Sequence, residues 1–204
     1  MAIHDTASNV ASEIKGLNAF RKLSDKYDNE WLPSYWTAYL CTQVARLKGR
    51  SPGFPENLDP KALVHEAQTY FDKASANLPD KNDKQQSDFH ALQGFIHNWN
   101  NWIVATTQEE KDSFDALAKK EFKLAAWYNH ENPLLYVLIG INLTGKDREY
   151  REVLAGIALL NYANKIFERA PHKSMTTYWN KDFISYWKLL AEKKLKELLQ
   201  EEDS

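Results

Sequence analysis

The segment Gly140-Ile141-Asn142-Leu143-Thr144-Gly145-Lys146-Asp147 has the glycine and lysine spacing of a phosphate-binding loop and follows an apolar run from Leu134. Such a loop needs Ser or Thr after its lysine to hold Mg²⁺, and Asp147 would set a carboxylate beside the phosphates instead. The plainer account is that Gly145 ends one helix and Asp147 caps the next. His65-Glu66 opens like a zinc-protease helix, but Thr69 stands where the second histidine belongs. His90 and His97 lie two helical turns apart, too far to share a metal unaided, and no Glu-x-x-His pair occurs. Cys41 is the single cysteine and sits in an apolar helical stretch, which reads as a small buried hydrophobe. No catalytic, cofactor-binding or metal-binding set emerges.

A different pattern occupies residues 85 to 104. Phe89, Leu92, Ile96, Trp99 and Ile103 make an apolar stripe, and Gln86, His90, Gln93, His97, Asn100 and Asn101 make an uncharged hydrogen-bonding one. A solvated helix face is built from Lys and Glu, so amides and imidazoles imply contact with something polar and uncharged, either a ligand or another helix.

The elements that position these residues are helical. Ala and Leu together number 44 against 15 for Val and Ile, and glycine and proline only seven each. Unbranched side chains lose little rotamer freedom in a helix, whereas strands favour branched ones. The spacing predicts about eight helices: Thr6–Tyr27, one through Trp36 to Leu47 stopped by Gly49, and one from the Asp59-Pro60 cap to Leu78. A polar link over Asp80–Ser87 leads to a helix at about 85–104. Thr107 and Glu110 form a capping box for the next, to about Tyr128. Pro133 opens a short apolar segment, Asp147 caps a helix to Ala170, and Asp182–Glu201 closes the chain.

Formal net charge is −2 over 204 residues, so nothing supplies the basic field that nucleic acid requires. The longest apolar run, Leu134 to Ile141, is far short of the roughly 20 residues of a membrane span. The start, Met1 to Asp5, has no basic or apolar leader region, so the chain as written is expected to be cytoplasmic and soluble; export stays open if a leader has been removed. Asn142-Leu143-Thr144 fits a glycosylation sequon but falls within a predicted helix.

One motif repeats. Ala67, Phe71 and Ala74; Ala118, Phe122 and Ala125; and Ala163, Phe167 and Ala170 share the same four-then-three spacing, each trio on one helix face. Pro79, Pro133 and Pro171 follow the three helices. This resembles the second helix of a tetratricopeptide repeat, with Ala38, Gly94 and Gly140 suited to the small position of the first helix. The leading alanines, at 67, 118 and 163, recur at intervals of 51 and 45 residues, against about 34 in the family, so the array is divergent. Trp31-Leu32-Pro33, Tyr35 and Trp179-Asn180 also look like a group of Bacteroidetes repeat proteins.

The resemblance implies an all-α domain over 1–204. Helix pairs at 31–171 would stack antiparallel as a right-handed superhelix, between capping helices at 6–28 and 181–201. It also implies a concave groove showing Tyr35, Tyr39, Asp88, Phe95, Asn98 and Trp99, suited to a protein or peptide partner, with a glycan as another acceptable ligand. The expected function is a non-catalytic scaffold. The alternatives are an assembly protein that dimerises through an aromatic face and an all-α enzyme or degenerate nucleotide binder around residues 140–147.

Overall fold

Helix signals at each segment boundary determine where the chain turns. The computed structural model describes residues 6–48, 54–144, 149–169 and 181–202, and among these there are eight α-helices and no strand. They are α1 Thr6–Lys26, α2 Trp31–Arg46, α3 Pro60–Ala76, α4 Asp83–Trp99, α5 Gln108–Tyr128, α6 Pro133–Leu143, α7 Tyr150–Arg169 and α8 Lys181–Glu202. The expected all-α class and helix number are thus observed.

The caps are specific. Asp59 accepts from the Lys61 N–H at 3.0 Å, with Pro60 in the first turn, as predicted. Thr107 and Glu110 exchange hydrogen bonds as a capping box, and the Thr106 and Thr107 N–H groups hold the Glu110 carboxyl below its usual range. A second capping box, Asn82 with Gln85, starts α4 two residues ahead of the predicted boundary. Asn132-Pro133 repeats the Asp59-Pro60 device: the Asn132 amide oxygen accepts from the Leu134 N–H at 3.0 Å.

The predicted helix at 85–104 is not α-helical throughout. After Trp99 the backbone makes a π turn over Asn100–Val104, closed by the Ala105 N–H donating to the Asn100 carbonyl at 2.8 Å. One inserted residue rotates the following side chains by about 100°. The predicted stops at Gly49, Gly145 and Pro171, the Asp147 cap, Ala170, and Trp179-Asn180 lie outside the described residues.

The chain divides into two compact units, Met1–Lys81 with Leu92–Lys120, and Asn82–Ala91 with Glu121–Ser204. In the first, α1 packs on α2 and α2 on α3. Val10, Leu17 and Ser24 recur every seventh residue on the buried seam of α1, where the Ser24 and Ser34 hydroxyls meet at 2.7 Å. Arg21 grips Glu66 with two hydrogen bonds, tying α1 to α3.

In the second unit α6 packs on α7 and α7 on α8. Val137, Ile141, Leu160, Ala163, Ile184 and Trp187 belong to one core cluster. The α6–α7 crossing is antiparallel: Gly140 faces Leu160 while Gly156 faces Thr144. A Cβ on Gly156 would lie 2.9 Å from the Gly140 carbonyl oxygen and 2.7 Å from Thr144 Cγ2. Backbone meets backbone there, and only glycine on both helices permits it. Gly140 was anticipated as a small crossing residue; its counterpart Gly156 was not.

At the repeated positions, Ala67, Ala74, Ala118, Ala125 and Ala163 are all buried, Phe122 nearly so, and Phe71 and Phe167 half-buried. Alanine there lets neighbouring side chains close in on the helix backbone.

These two glycines make opposite demands from Gly16, where a Cβ would meet nothing within 4 Å. Chemical denaturation should show Gly156→Ala destabilising by about 1–3 kcal/mol through overpacking. Gly16→Ala, in mid-helix, should stabilise by about 0.5–1 kcal/mol.

Candidate functional site

The residues singled out as a groove do not line an open surface. Tyr35, Asp88, Phe95, Asn98 and Trp99 are each no more than 4% exposed. Tyr39 alone is partly exposed, and desolvation of its hydroxyl holds the phenol well above its ordinary range. Asp88 belongs to one compact unit and the other five to the other. Five of the six side chains are thus buried in the fold.

Their contacts account for the burial. Along α2, Trp31, Tyr35, Trp36 and Tyr39 meet edge to face with ring centroids 5.7 to 6.2 Å apart. Phe95 meets Trp99 in the same manner at 5.7 Å, and Trp99 meets Trp102 at 5.1 Å, carrying the aromatic run through the π turn to a half-exposed ring. Such pairs contribute about 0.5–1.5 kcal/mol beyond area burial. The aromatic surplus of the sequence is here packing material.

Much of the uncharged stripe over residues 85–104 is engaged by neighbouring helices. Gln93 and Gln68 of α3 exchange amide hydrogen bonds at 2.9 and 3.2 Å, and Gln68 also donates to Asp72. The His97 ring lies 3.2 Å from the Gln93 amide and stacks on Phe114 of α5. His90 Nδ1 is 2.6 Å from Glu121, and its ring lies parallel to Tyr128 at 5.5 Å. Asn100 bonds to the Ile96 carbonyl and Asn101 to the Lys111 carbonyl. Of the two readings open in the sequence, contact with another helix is the one that His90, Gln93, His97 and Asn101 display, while Asn100 bonds within its own helical run.

In the first unit the buried donors Gln43 Nε2, Asn98 Nδ2 and Trp99 Nε1 meet no acceptor among the described residues. An unmet buried donor costs about 1–3 kcal/mol. Two of the three fall among the residues selected from sequence, directly before the π turn.

A heavily engaged buried polar group lies in the second unit. Asn132, fully buried, donates from Nδ2 to Ser87 Oγ at 2.9 Å and to Asp88 Oδ1 at 3.0 Å, and Ser87 donates to the Ala125 carbonyl at 2.7 Å. Burial pushes the Asp88 carboxyl from 3.8 up to about 7, with the Asn132 hydrogen bond and the Lys84 charge pulling it down. The sequence signal for this network was the Asn132-Pro133 pair, which reads as a cap.

The remaining candidates resolve individually. Cys41 is buried, and desolvation drives its thiol far above its ordinary range, which suppresses the thiolate needed for reactivity. Glu66, beside His65, is committed to Arg21. Among the described residues no group of three His, Cys, Asp or Glu could hold a metal ion, and no helix is long and apolar enough to cross a membrane. Gly140 to Leu143 continue helix α6, whereas a phosphate loop must leave a strand; residues 145–148 lie outside the described chain.

No family model matches this chain, and no match was found among curated proteins or solved structures.

Asp88 makes stability depend on pH. Its folded pKa lies above its unfolded value, so between them the native state holds the extra proton and stability falls as pH rises from about 4 to about 7. The full difference corresponds to at most about 4 kcal/mol. Denaturation curves across that range should show the decline in the native chain and a flatter profile in Asp88→Asn.

Proposed function

We propose that this chain is a non-catalytic, tetratricopeptide-like helical scaffold that binds a protein or peptide partner. The supporting pattern is one of consumption. On α4, Gln93 is engaged with α3 and His90 with α5, and Ala67, Ala74, Ala118, Ala125 and Ala163 of the repeated motif are buried. A partner in this packing therefore engages the outer surface rather than the aromatic and amide set.

The observation that carries the reading is Trp127, 85% exposed on a regular stretch of α5. A rigid indole buries a large apolar area on binding at small entropic loss, which is why tryptophan dominates interface energetics. Lys123, exposed one turn earlier, adds a cation beside it.

A second reading, self-association through an aromatic face, draws on α7. There Tyr162, 40% exposed and edge-on to Tyr136 at 4.7 Å, shares an exposed helix face with Leu154. Light scattering over a wide concentration range separates it, since a strict monomer contradicts it.

Affinity capture on the purified chain from a lysate of its source organism, read by quantitative mass spectrometry, tests the leading proposal. One or more proteins should be enriched by the native chain and reduced about tenfold or more by Trp127→Ala at unchanged helix content. Absence of any enriched protein contradicts partner binding, and equal capture by the variant contradicts the role of Trp127.

A further inference from the structure

The outer face of α1 forms a trough that nothing above uses. It has a volume of about 640 Å³. Ala11, Ile14, Ala19 and Pro55 give it an apolar lining, and among the described residues its charged lining groups are Lys15 and Lys22, with no acidic residue. Both lysines are exposed, and neither forms an ion pair among the described residues. By contrast, Arg21 on the same helix is committed to Glu66, and Lys73 of α3 to Asp28.

We propose that this trough is a docking site for an acidic amphipathic helix of a partner protein, with Lys15 and Lys22 receiving its carboxylates. The proposal rests on the partner-binding reading above and adds a second surface to it.

Lys15 and Lys22 stand seven residues apart, about 10 Å along the axis, so both point to one side of the trough. A partner helix lying alongside would meet them with carboxylates at the same seven-residue interval, next to its own apolar stripe. Ala11 and Ala19 are small and exposed, which lets a second helix come close, as in helix-in-groove recognition. The inner seam of α1 is fixed by Val10, Leu17 and Ser24, so the helix is a pre-formed platform. Lysines that form no ion pair among the described residues supply attraction to an acidic segment and repulsion to a basic one.

The probe is a synthetic amphipathic helix of about 20 residues, long enough to hold helical structure. It carries Leu and Ala on one face and glutamates seven residues apart beside them, and a second peptide has lysines in their place. Fluorescence anisotropy with the full chain should show the acidic peptide binding about tenfold more tightly than the basic one, with the preference reversed in Lys15→Glu/Lys22→Glu and weakened by salt. Circular dichroism checks that the double variant is folded.

Equal binding of both peptides, or no effect of the double variant, overturns the proposal. Lysine-dependent binding of dodecanoate without binding of the acidic peptide overturns the helix as occupant. Failure here is distinguishable from failure of the partner reading. If Lys15→Glu/Lys22→Glu still captures the Trp127-dependent protein while the acidic peptide binds neither form, the trough falls and the partner reading stands.

Discussion

A helix buried on nearly every side must satisfy the polar groups it carries, and α4 is that helix here. From Leu92 to Trp99 only Gln93 and His97 are even partly exposed. An ordinary central helix meets this constraint by being apolar. This one keeps amides and imidazoles and gives most of them specific partners: Gln68 for Gln93, Glu121 and Tyr128 for His90, Phe114 for His97, and, in the π turn that follows, a backbone carbonyl for Asn101, while Asn98 Nδ2 stays without an acceptor among the described residues. Paired polar groups of this kind fix the register of neighbouring helices, because sliding by one residue would leave several of them unmet at once.

The same logic recurs around Asn132. One side chain caps α6 through its oxygen and ties Ser87 and Asp88 through its nitrogen, so the start of α6 and the first half of α4 are placed by a single amide. The cost is a carboxyl buried away from solvent and raised to about 7. Where side chains are absent, at Gly140 and Gly156, the spacing of α6 and α7 is set by backbone contact instead. Hydrogen-bonded polar pairs and bare-backbone crossings are two ways of making one helix packing more favourable than its alternatives.

Much of the fold was legible in the chain because it rests on local chemistry. Asp59-Pro60, Thr107 with Glu110, and the low content of branched residues are statements about nearby backbone, and each helix boundary they mark is observed close to its expected place. The second capping box at Asn82 and Gln85 was readable by the same rule. The π turn was not, since a stripe through Trp99 and Ile103 fits an uninterrupted α-helix as well as a bulged one. The candidate site was legible in residue type but not in exposure. Tyr35, Phe95 and Trp99 have the same identity in a core as in a groove, and only tertiary neighbours decide between them. Trp127 and the Lys15 and Lys22 pair are recognisable only once the buried faces of α5 and α1 are known.

The central claim is that the polar residues of α4 hold helices together rather than await a ligand. Amide hydrogen exchange tests it most directly, because a helix locked by such pairs opens only with the surrounding fold. The account predicts that the amides from Leu92 to Trp99 exchange in the slowest class, with protection near that of global unfolding, in the protein alone. Exchange there as fast as at the exposed end of α8 would contradict it, and would mark α4 as a segment that opens independently.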